Sequence, residues 1–279
     1  MTHRTRLVTW NLWWRFGPWR ERGPAIEDAL RAAAPDLVTL QEVHRGEDAD
    51  QLAPLAGALG LAHLAWSPNR LPGRWRRRGD DADAHAEVGV AVLSRWPLHH
   101  ETEAALPDAG AEPEGRTALG VVVDHPDGPL PLVTTHLSSS PAGSAVRVEQ
   151  VRAVAQLVQR LRDRVDASLP PVVTGDFNAE PESDEMRLLG GHLTAPAVPG
   201  LVLVDAWRLG RPVDAGYTWR RENPYLGPGN PDARIDHVLV GLGTAVVHLG
   251  LVGAAAGPDG VWPSDHAGVL VDLDPAPAR

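Results

Sequence analysis

The feature that most constrains this chain is a repeated local pattern: a run of about five β-prone, mostly apolar residues, several times closed by a polar one. It occurs at Leu7-Val8-Thr9-Trp10-Asn11, Leu37-Val38-Thr39-Leu40-Gln41-Glu42, Val88 to Leu93, Ala118 to Val123, Leu132-Val133-Thr134-Thr135-His136, Val172-Val173-Thr174-Gly175-Asp176, Ile235 to Val240 and Val269-Leu270-Val271. Near-continuous apolar runs of this length predict strands, several of them buried on both faces. Such strands need cover on each side, so the pattern demands layers. Pro24 opens and Pro35 closes a helical stretch with Ile26, Leu30 and Ala33 on one face. A second helix is predicted from about Ala145 to Arg164, with Val151, Val154, Val158 and Leu161 as its apolar stripe and Gln150, Arg152, Gln156 and Arg160 on other faces. The expectation is an α/β or α+β chain with sizeable sheets. Loops are expected at the Pro and Gly clusters Pro107 to Gly115, Pro196 to Gly200, Pro224 to Pro231 and Gly257 to Pro263. With no internal repeat and no long linker, residues 1–279 are expected to form one domain, ending in a frayed tail over 273–279.

Composition narrows the chemistry. The chain has no cysteine, which excludes thiolate nucleophiles, Cys-type zinc sites and disulfides. It has no lysine either, so Schiff-base and phosphate-loop lysine chemistry is excluded and every basic residue is arginine. A formal net charge of −10 argues against a general electrostatic footprint for nucleic acid. The local exception is Arg70-Leu71-Pro72-Gly73-Arg74-Trp75-Arg76-Arg77-Arg78, followed at once by Asp80, Asp81 and Asp83. It reads as a solvated surface loop or as an arm for substrate phosphate. No window approaches the roughly 18 apolar residues of a membrane span. Met1 to Arg6 lead straight into a strand-like run rather than a secretory core, so a cytoplasmic, monomeric protein is expected. The Ala, Arg, Gly and Pro richness points to a bacterial source.

Polar residues stand where the apolar runs end, the position at which open α/β sheets carry their sites: Asn11, Glu42, His136, Asp176 with Asn178, and Asp236 at a strand start. Alone, Asn11 reads equally as a turn residue and Glu42 as a helix cap. Gly175-Asp176-Phe177-Asn178 is more informative, setting a carboxylate and a carboxamide two residues apart directly after a strand, with a glycine that admits close backbone approach to a ligand. Its bland alternative is an Asx turn into a helix near Ser183. Ser264-Asp265-His266 sets a hard oxygen ligand beside an imidazole, the pairing expected where a metal and a phosphate meet.

In this order, Thr9-Trp10-Asn11, Leu40-Gln41-Glu42, Thr135-His136-Leu137, Gly175-Asp176-Phe177-Asn178, Arg234-Ile235-Asp236-His237 and Ser264-Asp265-His266 resemble the endonuclease/exonuclease/phosphatase family of DNase I-like phosphoesterases, over nearly the whole chain. Leu93-Ser94-Arg95-Trp96-Pro97-Leu98 and Gly115-Arg116-Thr117-Ala118 also look like the family's strands. The resemblance implies a four-layer α/β/β/α sandwich of two mostly antiparallel sheets, with the site at one edge. It implies Mg²⁺, or Mn²⁺, held principally by Glu42 with Asn11 and Asp265, an oxygen-rich set suited to either ion. It further implies that Asp176 activates water, Asn178 holds a phosphate oxygen, His266 meets the phosphate with Asp236 fixing its tautomer, and His136 protonates the leaving oxygen. Arg95 and Arg116 are candidate phosphate contacts, or structural ion pairs. The substrate is a phosphate ester of open identity. A small phosphodiester, a phosphorylated metabolite or a lipid head group is favoured over DNA or RNA, because a duplex enzyme needs several phosphate contacts. A binding module without catalysis would be expected to have lost a motif, and all six are intact. Trp13, Trp14, Phe16 and Trp19, and Tyr217, Trp219, Asn223 and Tyr225, read either as substrate-facing aromatic loops or as packing.

Overall fold

The computed structural model describes residues 3–46, 49–71, 75, 86–108, 113–166, 168–210, 212 and 214–275. The eight predicted runs all become strands, and four more join them. In chain order the strands are β1 (Thr5–Asn11), β2 (Leu37–Arg45), β3 (His63–Pro68), β4 (Glu87–Ser94), β5 (Leu98–Ala105), β6 (Thr117–His125), β7 (Gly128–His136), β8 (Val172–Asp176), β9 (Leu203–Asp205), β10 (Asp236–Gly241), β11 (Thr244–Val252) and β12 (Gly268–Pro275). The helices are α1 (Trp19–Ala33), α2 (Leu52–Leu59), α3 (Ser144–Arg162), α4 (Asp184–Gly190) and α5 (Ala206–Leu209). One six-stranded sheet runs β11-β12-β1-β2-β4-β3 and the other β5-β6-β7-β8-β10-β9. Only β1–β2 and β7–β8 are parallel pairs; the rest are antiparallel.

Alternation along the strands builds the layers. On β1, Leu7 joins the core between the sheets while Val8 and Trp10 join the core under α1 and α2. On β8, Val172 lies between the sheets and Val173 packs under α3 and α4. Both faces are therefore covered, which is why the strands read as continuous apolar runs. Each buried Leu or Val here contributes about 1.5–3 kcal/mol relative to exposure.

The same alternation sets up the site. Along the face between the sheets, successive residues run Leu7, Thr9, Asn11 on β1; Leu37, Thr39, Gln41 on β2; Leu132, Thr134, His136 on β7; and Val172, Thr174, Asp176 on β8. Aliphatic residues give way to a belt of threonines and then to functional groups at one end of the sandwich. The belt is bonded across the sheets, with the Thr174 hydroxyl donating to Thr39 Oγ1 (2.9 Å) and the Gln41 amide to Thr9 Oγ1 (3.2 Å) and Thr134 Oγ1 (3.1 Å). These bonds pay the desolvation cost of a polar layer on an apolar core.

Several sequence expectations are corrected. α1 begins at Trp19, so Pro24 lies inside it rather than at its start; only the bond its missing N–H would make is lost. Gln150 belongs to the buried face of α3, where it accepts from Ser138 N (2.9 Å) and donates to the Pro107 carbonyl (2.9 Å). β12 continues to Pro275, because its residues Leu273, Asp274 and Pro275 pair with β11, so the expected tail is strand over 273–275. Residues 276–279 lie outside the described residues.

Candidate active site

Eight side chains proposed from sequence converge at the polar end of the sandwich, drawn from both sheets and from the loop before β12. Asp176, at the end of β8, is central. Its Oδ2 accepts from Asn11 Nδ2 at 2.9 Å and lies 3.3 Å from His136 Nε2 and 3.8 Å from His266 Nε2. Its Oδ1 accepts from the backbone N–H of Asn178 at 2.9 Å. The Asx turn is thus real and part of the site, bending the chain so that Asn178, at φ +48°, donates to the Leu137 carbonyl (3.2 Å). Gly175 serves a different purpose from the one its sequence suggested. At φ +142°, a Cβ there would lie 2.0 Å from the Thr135 carbonyl oxygen, so glycine is required by packing on β7 rather than by a ligand.

Glu42 reaches the site through a β-bulge. Leu40 pairs with Ala91 but Val43 pairs with Gly89, so Gln41 and Glu42 together oppose a single residue, Val90. Strict alternation would turn Glu42 to the helix layer. Instead Glu42 adopts φ +51°, and its Oε1 comes within 3.9 Å of His136 Nδ1 on the other sheet. A left-handed non-glycine residue costs about 1–2 kcal/mol, and bulges recur beside active sites because they re-aim one side chain.

His266 donates through Nδ1 to Asp236 Oδ2 at 2.8 Å. Trp10 Nε1 binds the His266 carbonyl (2.9 Å), and the Ser264 hydroxyl binds the Asn11 carbonyl (2.7 Å), tying this loop to β1. His136 Nδ1 receives a bond from Arg116 at 2.7 Å; because arginine only donates, Nδ1 accepts and the proton sits on Nε2, facing Asp176.

Electrostatics set this cluster apart. Burial, then the charge of Asp236, pushes the Asp176 carboxyl up to about 6. Burial, with Glu42 and Asp176 adding to it against His266 and Arg22, pushes Asp265 up to about 7. For His266, burial works against the charge, but Asp236, Asp265 and Asp176 outweigh it and hold the imidazole well above its ordinary value. The Oδ1 atom of Asp236 is buried with no hydrogen-bond partner among the described residues. Concentrated negative charge and an orphaned acceptor are what a divalent cation relieves.

The two arginines proposed as phosphate contacts behave differently. Arg116 is at the site but buried and spoken for, ion-paired to Glu114 at 2.6 Å, bonded to His136, and lying 4.7 Å from the centroid of the Trp75 ring. Arg95 is not at the site. It follows β4, whose Ser94 pairs with Leu37 at the start of β2, and its guanidinium binds Asp36 (2.8 Å) at the opposite end of the sandwich. Arg74, Arg76, Arg77 and Arg78 lie outside the described residues.

Most of the aromatic residues pack. Trp14 is buried with Trp75, Ala86 and Val88. Trp13 stacks on Tyr225 at 4.6 Å and has the Arg22 guanidinium 4.9 Å from its ring centroid. Trp19 lies edge-on to His44, away from the acids. Trp219 packs edge-on against the imidazole of His266, at 4.9 Å. Arg22 was missed in the sequence. From the buried face of α1 its guanidinium donates to the carbonyls of Leu12, Trp13, Trp14, Phe16 and Pro263, at 2.8–3.1 Å. Burial lowers its pKa to about 10, which leaves it charged at neutral pH. The signal was available: Arg22 shares the four-residue spacing of Ile26 and Leu30, a charge on an apolar stripe. Glu114 and Trp75 carried no comparable signal.

The sequence profile of the Endonuclease/Exonuclease/phosphatase family matches residues 8–266. The chain belongs to this family. By family it is a hydrolase of phosphate esters. Among solved structures, the endonuclease/exonuclease/phosphatase from Beutenbergia cavernae is 28% identical with a TM-score of 0.72, over 98% of this chain and 72% of that one. The human Nocturnin catalytic domain, 19% identical, has a TM-score of 0.75 over 99% of this chain and 97% of that one, and shares the fold. Tyrosyl-DNA phosphodiesterase 2 of Xenopus laevis is 32% identical over 155 residues, or 51% of this chain and 37% of that protein. The human protein of that name is 30% identical over 57% of this chain and 42% of its own length. The chain therefore aligns with less than half the length of these curated relatives.

Proposed function

We propose that this protein is a Mg²⁺-dependent phosphodiesterase, with Mn²⁺ an alternative ion, built as one domain around the acidic end of the sandwich. The observation that carries the reading is the meeting of Asn11, Glu42, Asp176 and Asp265 with two imidazoles in a buried space. The phosphodiester preference is supported by the tyrosyl-DNA phosphodiesterase 2 relatives, which also bring nucleic acid back as a substrate class.

The residues fit a hard divalent ion. Asp176, Asp236 and His266 bring ligand atoms within 4.8 Å of one another, with Asp236 Oδ2 and His266 Nδ1 bonded to each other. Glu42 and Asp265, with the side-chain oxygen of Asn11, which also accepts from Trp13 N at 2.9 Å, form an all-oxygen set. When bound, the ion supplies charge neutralisation to the phosphoryl group and the departing oxygen.

The other steps belong to side chains. Asp176, raised to about 6, is a base matched to neutral pH and takes the proton of the attacking water. The Asn11 amide and the Asn178 N–H fix its two oxygens. His266 stays protonated through its pairing with Asp236 and directs its Nε2–H at a phosphate oxygen, while the Asn178 carboxamide offers a second contact. His136, kept in the Nε2–H tautomer by Arg116, is positioned to hydrogen-bond the leaving oxygen through Nε2–H.

The test is hydrolysis of bis-p-nitrophenyl phosphate with Mg²⁺, with EDTA, and by Glu42→Ala. Turnover by the wild type alone and only with metal is expected. Equal turnover by Glu42→Ala would remove the assignment.

A further inference from the structure

We infer that a cavity beside the candidate active site, on the outer face of the second sheet, is a second anion subsite that receives a phosphate of the substrate away from the scissile bond. The inference rests on the phosphodiesterase reading and narrows it to substrates carrying more than one phosphate along a strand, such as single-stranded oligonucleotides. The cavity measures about 390 Å³ and lies between α4, β9, α5 and the start of β10. Met186, Leu203, Trp207 and Leu239 form its apolar floor. Three arginines from separate segments enter it: Arg187 on α4, Arg208 on α5 and Arg234 before β10. Arg234 is committed to Asp205 at 2.6 Å. Arg187 and Arg208 are exposed, and among the described residues neither has a carboxylate within ion-pair distance. Arg208 instead stands 3.5 Å from Nε2 of His192, which accepts from it.

Two guanidiniums on one cavity with no ion pair among the described residues are unexpected in a chain of net charge −10. Of the two carboxylates in the lining, Asp205 is already shared by Arg234 and His237, which leaves Glu182. Planar guanidiniums are suited to phosphate oxygens, and the apolar floor suits a sugar or base edge. The cavity is also within reach of the acids. Pro181 on its wall is three residues from Asn178, and Arg234 is two from Asp236, so at most about 11 Å of extended chain separates either pair.

The probe is a short fluorescein-labelled oligodeoxythymidine, followed by fluorescence anisotropy in EDTA, where no turnover occurs. Wild type is expected to bind in a salt-dependent manner. Arg187→Ala/Arg208→Ala should weaken binding about tenfold and flatten the salt slope by about 1.4, the value for two lost single-strand contacts. Arg152→Ala/Arg160→Ala, which removes the same charge from the exposed face of α3, should stay near wild type. Wild type without salt-sensitive affinity, or equal weakening by both double variants, overturns the inference. Hydrolysis of bis-p-nitrophenyl phosphate, too small to span both places, should be unchanged in Arg187→Ala/Arg208→Ala. Its absence in wild type would defeat the esterase reading while leaving the binding result to stand or fall alone.

Discussion

The two ends of the sandwich use similar residues in opposite ways. At the far end, two arginines have each met an aspartate: Arg6 clasps Asp272 through two bonds, of 2.7 and 2.9 Å, and Arg95 holds Asp36 at 2.8 Å. There the hydrogen bond from Arg6, followed by its charge, depresses the Asp272 carboxyl against the opposing pull of burial, and the same partner raises Arg6. At the near end, the carboxylates crowd together under burial, and Asp176 and Asp265 are pushed up to about 6 and about 7. One end is arranged for stability and the other against it. A fold keeps such an arrangement where something else completes it, which under the proposed function is a cation and a phosphate.

The sharpest way to break this contrast is to remove a carboxylate from the near end. Glu42→Ala is expected to lower kcat/KM by about 10³-fold or more while leaving the fold intact, and Asp176→Asn by about 10³-fold, as losses of charge stabilisation and of a general base. Steady-state kinetics with circular dichroism as the folding control reads both. Asp236→Asn, which frees the His266 imidazole, should cost about 10–100-fold, the usual size for a group that orients another. If it cost nothing, the bonded pair would be structural only. Asp265→Asn should raise the melting temperature in EDTA, by about 2–4 °C for each kcal/mol of repulsion relieved, and should abolish the further rise that Mg²⁺ gives the wild type. A melting temperature that falls in EDTA would mean that the near end is not under electrostatic strain.

The far end should answer in the reverse sense. Asp272→Asn is expected to lose about 0.5–1 kcal/mol in urea unfolding at neutral pH, a value kept small because Arg6 is partly exposed, with turnover unaffected. Since the folded carboxyl is depressed, its contribution is present above the ordinary carboxylate pKa of about 3.9 and is lost as pH falls through the lower folded value. The difference between variant and wild type should therefore persist at pH 5 and close only in stronger acid. Arg95→Ala should change turnover by less than about twofold, as expected of a surface ion pair remote from the chemistry.

What could be read from sequence follows the same division. Strands buried on both faces announce themselves as apolar runs, and the polar residues that close them mark one end of the sandwich. The edge strands β5 and β11 escaped because they face solvent: most of Leu98–Ala105 is exposed, and Thr244–Val252 is largely half-buried or exposed. The step from aliphatic residue to threonine to functional group, as in Val172, Thr174 and Asp176, was present in the letters, but its meaning depends on knowing which face looks inward. Arg95 stayed open between phosphate contact and structural ion pair because a residue's place along the chain does not tell which end of an antiparallel strand it occupies; the pairing of Ser94 with Leu37 does, and the ion pair holds. The bulge at Gln41 and Glu42 was invisible for a related reason, since it exists only in the count of residues on β2 against those on β4.

Arg22 carries a consequence for how the site opens. One side chain gathers carbonyls from two segments more than two hundred residues apart, Leu12 to Phe16 and Pro263. Neither segment can swing away without breaking bonds shared with the other, so their motions are joined into a single cooperative unit. In deuterium exchange, the amides of Leu12, Trp14 and His266 should open together, with a common protection factor, and Arg22→Met should split that unit into two loops exchanging at unrelated rates.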